Sequence, residues 1–266
     1  MAATRTRAAR LGLGVLNLIA FLATAAVNGL ANALPINGKG TGELSDQYPN
    51  LFVPAGLTFS IWGVIYILLA IYAVYQLVAG LRRQERAVAF FDRIGLLFFV
   101  SSLANIGWIL AWHYEIVWAA MILMAVLLLS LLAIYLRLRV GVSGASTAEK
   151  LMVHLPFSVY LGWITVATVA NATALLVDLR WDRWGLGEPF WAVALIAAAV
   201  LIALAVLGSR RDIFYTLVVD WALLGILLKR LAVDRPPIAS VRWAAVAGLV
   251  LLTLGILVQV VRRKVY

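Results

Sequence analysis

Residues 94–112 read IGLLFFVSSLANIGWILAW, a stretch that is apolar enough for a membrane helix yet carries polar and indole side chains at regular intervals. Ser101, Asn105, Trp108 and Trp112 recur at spacings of four, three and four, which places them on one face of a helix. Such a face is costly against lipid alone. The pattern therefore predicts that it packs against another helix or contacts a ligand.

The composition of the whole chain is that of a membrane protein. Of its 266 residues, 64% are hydrophobic, whereas a soluble domain averages about 45–50%. Uncharged runs of about 20 residues recur, each long enough to cross a hydrocarbon core of roughly 30 Å. We therefore predict an all-α, polytopic transmembrane helical bundle in the lipid bilayer. Its eight predicted spans cover residues 11–34, 55–80, 94–112, 116–136, 151–177, 190–208, 213–229 and 243–261.

The distribution of charge predicts an orientation. A net charge of +10 would suggest a nucleic-acid partner for a soluble protein, but here the cations cluster in short loops, so we exclude nucleic acid. The loops on the side of the two termini hold 15 of the 22 Lys and Arg residues. The positive-inside rule then predicts cytoplasmic N- and C-termini in a bacterial-type inner (plasma) membrane. The fifteen cations are Arg5, Arg7, Arg10, Arg82, Arg83, Arg86, Arg93, Arg137, Arg139, Lys150, Arg210, Arg211, Arg262, Arg263 and Lys264.

Motifs for metal binding and common catalysis are missing from the sequence. There is no Cys, and the two histidines, His113 and His154, cannot build a zinc site by themselves. Phosphate-cradle and serine-hydrolase motifs are also absent. We predict no metal, no catalytic residue and no covalent cofactor.

The first span has two interpretations. Residues 5–33 imitate a signal peptide, because arginines precede an apolar run that ends in Ala31-Asn32-Ala33. The run is longer than the usual 7–15 residues, however. We expect a retained helix that packs in the bundle, with cleavage as the alternative. The polar residues near one of its faces are Asn17, Thr24, Asn28 and Asn32.

The predicted outer loop from Pro35 to Pro54 also has two interpretations. Its three glycines and Pro49 exclude a long regular helix. The loop either closes over the mouth of the bundle or is a solvated connector, and the sequence does not separate the two. The side chains that could close the mouth are Glu43, Asp46 and Tyr48.

The second and fifth spans carry stripes like that of the third. Thr58, Trp62 and Tyr66 follow one another at intervals of four, and Trp163, Ala167 and Asn171 do the same. The fifth span is polar on its other side too, so we expect it to be buried on both sides and central to the bundle. Tyr160 and Thr168 flank its stripe, and its other side carries His154, Ser158 and Thr165.

Three ordered fragments together resemble the translocator protein/tryptophan-rich sensory protein (TspO/MBR) family. They are Pro54 with Trp62 and Tyr66, Asn105-x-x-Trp108, and Trp163-x-x-x-Ala167-Thr168-x-x-Asn171. The resemblance covers residues 11–178 and implies a five-helix bundle with a pocket beneath the first outer loop. Such pockets are associated with porphyrins and other flat hydrophobic ligands. We accordingly divide the chain into a TspO-like five-helix membrane domain, 1–178, and a three-helix membrane extension, 179–266.

The resemblance and the stripes predict one ligand site. Aromatic rings offer stacking worth about 0.5–1.5 kcal/mol beyond burial. The amides of Asn105 and Asn171 could form hydrogen bonds with the ring edges or propionates of a ligand. Lys39 could pair with a ligand carboxylate at the mouth. The alternative is that the rings fill gaps between helices and the amides bond across them. A hydrophobic small molecule such as a bound tetrapyrrole is the expected occupant. The predicted ligand-binding residues are Thr58, Trp62, Tyr66, Asn105, Trp108, Trp163, Ala167 and Asn171.

Asp220 lies near the middle of the seventh span. A carboxylate there costs at least about 2.5–3.5 kcal/mol, so it must face protein or water. We predict a proton or ion site shared with His154 or Gln259. The alternative is a neutral Asp bonded to a neighbouring backbone group or Thr.

Five further tryptophans lie near the predicted outer ends of spans. Trp and Tyr are enriched at membrane–water interfaces, so we predict that they anchor the bundle there. They are Trp112, Trp118, Trp181, Trp184 and Trp191.

Three functions are compatible with these features. The first is a membrane binding or sensory protein that holds a porphyrin-like or other flat hydrophobic ligand in an aromatic-lined pocket. The second is a proton-coupled secondary transporter that uses Asp220. The third is an enzyme that degrades a tetrapyrrole under light. Small residues on the first span permit a homo-oligomer; they are Ala25, Ala26, Gly29 and Ala33.

Overall fold

The computed structural model describes residues 6–34, 36–81 and 89–262, and this part of the chain is helical, without strands. The predicted all-α membrane bundle is confirmed. The eight long helices are α1 (Arg7–Ala33), α2 (Ile61–Gly80), α3 (Leu97–His113), α4 (Val117–Leu138), α5 (Leu155–Asp178), α6 (Glu188–Arg210), α7 (Ile213–Val233) and α8 (Ala239–Val261). The residues named above that lie outside the described ranges are Arg5, Pro35, Arg82, Arg83, Arg86, Arg263 and Lys264.

The long helices follow the predicted spans to within a few residues, and local structure explains the late start of two of them. α2 starts only at Ile61, because Gly56–Ser60 form a tighter 3-10 turn before it. α5 starts after a π-helical turn, Lys150–His154, and has Pro156 in its first turn, where a missing N–H is tolerated. The outer loop contains only short helices, Ile36–Gly38 and Thr41–Asp46, as its glycines predict.

Six of the eight helices are long and apolar enough to cross a membrane: α1, α2 with its 3-10 turn, α4, α5, α6 and α8. α3 is equally apolar but has 17 residues, which corresponds to about 26 Å. α7 has 21 residues and carries Asp220, Lys229 and Arg230. The architecture is consistent with about eight spans.

The first five helices form a closed ring. α1 packs against α2 and α3, α4 packs between α3 and α5, and α5 returns to α2. Polar groups of α1 face into this ring, because Asn17 donates to Gln76 Oε1 at 3.1 Å and Asn28 donates to Asn105 Oδ1 at 2.7 Å. The polar face of the first span therefore packs against helices, as predicted for a helix of the bundle.

The last three helices pack on one another and dock on the ring through α7. α7 contacts α6 and α8, and its other side lies against α5 and the Gly56–Ser60 turn. α5 thus contacts α2, α4 and α7, which confirms its predicted central position. We call the end of the bundle that carries residues 36–54 the loop end, and the opposite end, which carries Arg137, Arg139 and Arg211, the basic end.

A buried carboxylate joins the two groups of helices at the basic end. Asp212 immediately precedes α7, is fully buried, and accepts from the backbone N–H groups of Phe214 and Tyr215, both at 3.1 Å. It also accepts from the Ser158 hydroxyl of α5 at 2.6 Å and the Tyr135 hydroxyl of α4 at 2.9 Å. One side chain therefore caps α7 and holds it against two helices of the ring.

We expect Asp212→Ala to lower the free energy of unfolding by about 3 kcal/mol, because it removes a helix cap and leaves two buried hydroxyls without their acceptor. Unfolding of the purified protein in detergent measures this loss. Asp182→Ala is the matched control, since Asp182 also accepts from a backbone N–H (Trp184, 2.9 Å) but lies on an exposed loop. Equal losses for the two variants would contradict the role given to Asp212.

Candidate ligand-binding site

An aromatic cluster lies inside the ring, between α2, α3 and α5. The Trp62 ring stacks on Tyr66 at a centroid distance of 5.7 Å and on Trp108 at 5.9 Å. It meets Tyr160 and Trp163 edge to face at 6.0 and 6.3 Å. The stripes predicted on three separate spans thus converge on one interior cluster.

The side-chain amides of Asn105 and Asn171 are already hydrogen-bonded within this cluster. Asn171 Oδ1 accepts from the Trp108 indole at 3.0 Å, and its Nδ2 donates to the Ala167 carbonyl at 3.0 Å. Asn105 donates to the Tyr160 hydroxyl at 2.8 Å and accepts from Asn28. These bonds orient the rings, which is the structural role that the sequence left as an alternative.

Two donors of the cluster have no hydrogen-bond partner among the described residues. They are the Trp163 indole N–H and the Tyr66 hydroxyl, both buried. A buried donor without a partner costs about 1–3 kcal/mol. The cluster therefore offers two unsatisfied polar atoms beside its ring faces.

A small cavity of about 30 Å³ lies among the rings. This is about the share of liquid volume that one water molecule takes, so a flat macrocycle requires the surrounding groups to move apart. The cavity is lined by Thr41, Ser45, Pro54, Phe59, Trp62, Trp108, Trp112, Trp163, Val166, Ala167, Ala170 and Asn171.

The outer loop covers this cavity, and of its two interpretations the closed mouth is observed. Thr41, Ser45 and Tyr48 are buried, and the Trp112 indole donates to the Thr41 carbonyl at 3.4 Å. The Tyr48 ring contacts Trp112 at 5.7 Å. Burial, and then the negative charges of Glu115 and Asp178, raise the pKa of Tyr48, so its phenol is uncharged at neutral pH. Trp112 is therefore part of the buried cluster, and its predicted place as an interface anchor is wrong.

His113, the last residue of α3, fastens the loop over the cluster. Its Nδ1 lies 3.0 Å from the Ile36 carbonyl, which can only accept, so we assign the proton to Nδ1. Nε2 then accepts from the Thr41 hydroxyl at 3.2 Å. Lys39, predicted to pair a ligand carboxylate, instead pairs Glu115 at 2.6 Å. Of the three side chains predicted to close the mouth, only Tyr48 contacts the cluster. Glu43 accepts from the Gly40 N–H at 3.0 Å, and Asp46 pairs with Lys229 of α7.

Five of the eight predicted ligand-binding residues line the cavity, and two others support it. Tyr66 stacks on Trp62, and Asn105 is bonded to Tyr160, whose ring contacts Trp62. Whether these residues bind a ligand stays a prediction. The five that line the cavity are Trp62, Trp108, Trp163, Ala167 and Asn171.

Thr58 is not brought to the cavity but faces α7. Its carbonyl accepts from the Trp221 indole at 3.0 Å, and a Cβ on Gly225 would overlap its hydroxyl. The prediction assumed helical spacing between Thr58 and Trp62. Thr58 lies in the 3-10 turn, however, where three residues complete a turn and the interval of four no longer keeps one face.

Several lining residues were not predicted. Phe59 lies three residues before Trp62, and its ring meets Trp163 at 5.9 Å, so a 3-10 spacing would have identified it. Thr41 and Ser45 reach the cavity from the outer loop, and no local pattern in that loop indicates it.

Asp220 has a different partner from those predicted. The Thr253 hydroxyl of α8 donates to Asp220 Oδ2 at 3.1 Å, while Oδ1 has no hydrogen-bond partner among the described residues. Gln259 donates to the Leu207 carbonyl at 3.3 Å, and His154 lies 3.5 Å from Glu149. The expected sharing with His154 or Gln259 is therefore corrected to an Asp–Thr pair, the arrangement of the alternative interpretation.

Comparison with protein families identifies the chain. The model of a family described as TSPO-like protein matches residues 14–258, so the chain belongs to this family, as the sequence fragments predict. The match extends beyond residue 178 into the last three helices, while the division into domains 1–178 and 179–266 stays a prediction. No curated protein and no solved structure matched the chain.

We expect His113→Ala to open the loop, because it removes both ring contacts that hold Ile36 and Thr41. The chain has no Cys, so a single Val166→Cys, at a buried residue that lines the covered cavity and not the open surface, reports access to that cavity through its rate of maleimide labelling. Labelling should accelerate severalfold in His113→Ala. His154→Ala, which removes the other buried histidine, far along the chain from the loop, should leave the rate unchanged; a similar acceleration in both would rule out a specific fastening by His113.

Proposed function

We propose that this member of the TSPO-like protein family is a membrane binding or sensory protein that holds a flat, hydrophobic small molecule, with porphyrin-like tetrapyrroles as the leading class. The ligand would lie between α2, α3 and α5, beneath residues 36–54. The observation that supports this most is the meeting of Trp62, Trp108 and Trp163 around an interior cavity whose Trp163 N–H lacks a partner among the described residues.

The chemistry of the cluster favours a flat ligand with a polar edge. Indole faces can each stack on a planar ring, with about 0.5–1.5 kcal/mol beyond burial. Asn105 and Asn171 are occupied by Tyr160 and Trp108, so we assign recognition of the polar edge to the two unpaired donors, Trp163 and Tyr66. An oxygen of the ligand that accepts from them would remove the cost of leaving them unpaired.

Binding of a macrocycle would be coupled to opening of the cluster. A cavity of about 30 Å³ cannot hold it, so the loop contacts of His113 and Trp112 would be exchanged for contacts with the ligand. The apparent affinity would then be the affinity of the open form multiplied by the fraction of molecules that are open. We assign no covalent step and no catalytic residue.

The proposed setting is the inner (plasma) membrane of a bacterial-type cell, with the basic end and both termini in the cytoplasm. Arg137, Arg139 and Arg211 are exposed at the basic end, which the positive-inside rule assigns to that side. The loop end, and with it the mouth of the cavity, would then face outward.

A proton-coupled transporter is the second candidate, and the unpaired Oδ1 of Asp220 is the observation that favours it. Proteoliposomes loaded with protoporphyrin test it by efflux with and without a pH gradient. Coupling through Asp220 requires that Asp220→Asn abolish the dependence on the gradient. Identical behaviour of this variant and the wild type would exclude Asp220 as the coupling residue.

Titration of the purified protein with protoporphyrin, followed by the shift in ligand absorbance, tests the proposed binding. We expect Trp62→Ala to weaken the affinity at least tenfold, because Trp62 contacts four other rings of the cluster. Trp243→Ala is the matched control, since Trp243 on α8 is 71% exposed. Saturable binding that is equal in both variants would place the ligand elsewhere, and no saturable binding would dismiss protoporphyrin as the ligand.

A further inference from the structure

A second and much larger cavity lies at the loop end, between the ring and the last three helices. Its volume is about 1000 Å³, at the upper end of the range of about 300–1,000 Å³ that small-molecule sites occupy. We call it the groove. It is lined by Ser45, Asp46, Tyr48, Pro49, Asn50, Leu51, Val53, Thr168, Val169, Ala172, Thr173, Leu176, Val177, Arg180, Trp181, Arg183, Glu188, Trp191, Leu195, Lys229, Arg230 and Val233.

The groove is separate from the aromatic cluster. On α5, Ala167 and Asn171 line the aromatic cavity, whereas Val169, Ala172 and Leu176 line the groove. The two cavities therefore lie on different faces of α5. Helices α6 and α7 form the opposite wall of the groove, so it exists only because the last three helices pack on the ring.

The deep part of the groove is apolar. Its lining on α5 extends from Val177 down to Thr168, a distance of about 14 Å at 1.5 Å per residue. Leu195 of α6 faces the same space. This length and lining suit one hydrocarbon chain that lies along the helix.

The rim of the groove is cationic. Four cations and two carboxylates, Asp46 and Glu188, line it. Lys229 pairs with Asp46, and Arg183 lies 3.4 Å from Glu188. Neither of the remaining two cations, Arg180 and Arg230, pairs with these two carboxylates.

These two arginines have unused donors. The Arg180 guanidinium makes no ion pair with the described residues. Arg230 is buried and pairs with Asp234 at 3.1 Å through Nη1, but its Nε has no hydrogen-bond partner in the described part of the chain. Guanidinium groups bind phosphate and carboxylate through two parallel hydrogen bonds.

Indole rings surround the same rim. Trp181, Trp184 and Trp191 contact one another edge to face at 5.0–5.4 Å, and Trp181 and Trp191 line the groove. Aromatic residues of this kind concentrate at the level of lipid headgroups. The cationic rim would thus lie where the membrane meets water, with the apolar part below it.

We infer that the groove binds an amphipathic anion, with its hydrocarbon chain along α5 and its phosphate or carboxylate head on Arg180 and Arg230. The apolar depth of the groove matches the hydrocarbon chain of such a molecule. The cationic rim, with the unpaired Nε of Arg230, matches its anionic head. None of Trp62, Trp108 and Trp163 lines the groove, and its wall on α6 and α7 gives these two helices a role in binding.

Native mass spectrometry of the detergent-purified full chain tests this with three probes: dilauroyl phosphatidylglycerol, dilauroyl phosphatidylcholine and lauric acid. We expect an anionic probe to bind more tightly than phosphatidylcholine, which has the same chains and no net charge. A surface cation contributes about 1 kcal/mol toward an anionic lipid, so Arg180→Gln should weaken the anionic probe about fivefold. Preference for phosphatidylglycerol identifies a membrane lipid as the source, and preference for lauric acid identifies a free amphiphile.

Two control variants make the result specific. Arg137→Gln removes an exposed cation at the basic end and should leave binding unchanged, and Trp243→Ala, at an exposed residue of α8 that lines neither cavity, should do the same. Lys229→Gln removes another cation of the rim and should also weaken binding of the anionic probe. Equal binding of phosphatidylglycerol and phosphatidylcholine, equal effects of Arg180→Gln and Arg137→Gln, or no bound anionic probe would overturn the inference.

Discussion

The attachment of α7 to α5 is the contact on which the other features depend. At the basic end it rests on the Asp212 carboxylate, which satisfies two backbone N–H groups and two hydroxyls that lipid could not. Near the loop end, Gly225 lets α7 approach the turn that precedes α2, where the Ala55 N–H donates to the Gly225 carbonyl at 2.9 Å. This attachment turns a five-helix ring and a three-helix group into one bundle, and it forms the groove between them.

Within the ring, some polar groups form hydrogen bonds between helices, and others keep a donor without a partner. Asn28 donates to Asn105 and Asn105 donates to Tyr160, while Asn171 accepts separately from Trp108. These bonds fix the orientation of the rings. Trp163 and Tyr66 retain unpaired donors within the described part of the protein. The aromatic cluster is thus a packed core in the closed arrangement, and under the proposed function its rings would become stacking faces once the loop has moved.

Much of this architecture could be predicted from the sequence, because apolar length and helical periodicity are local properties. These two properties predicted the eight spans, the polar and aromatic stripes that face the interior, and the central position of α5. Thr58 was misplaced because a 3-10 turn changes the angle per residue, and Asp220 was given the wrong partners because its contact with Thr253 depends on how α7 and α8 align. The hydrogen bonds between the loop and α3 join segments 71 or more residues apart, such as Thr41 and Trp112, and the groove joins segments 183 residues apart at Asp46 and Lys229. No local pattern encodes such distances.

Ser45 belongs to the wall of both cavities, and α5 forms a partition between them. Linkage between two sites is reciprocal: if filling one changes the affinity of the other, the reverse change has the same factor. An amphiphile in the groove that displaces Ser45 would thus act as an effector of a planar molecule in the cluster, and the reverse. The membrane's own lipid composition would then set the sensitivity of the protein to its second ligand.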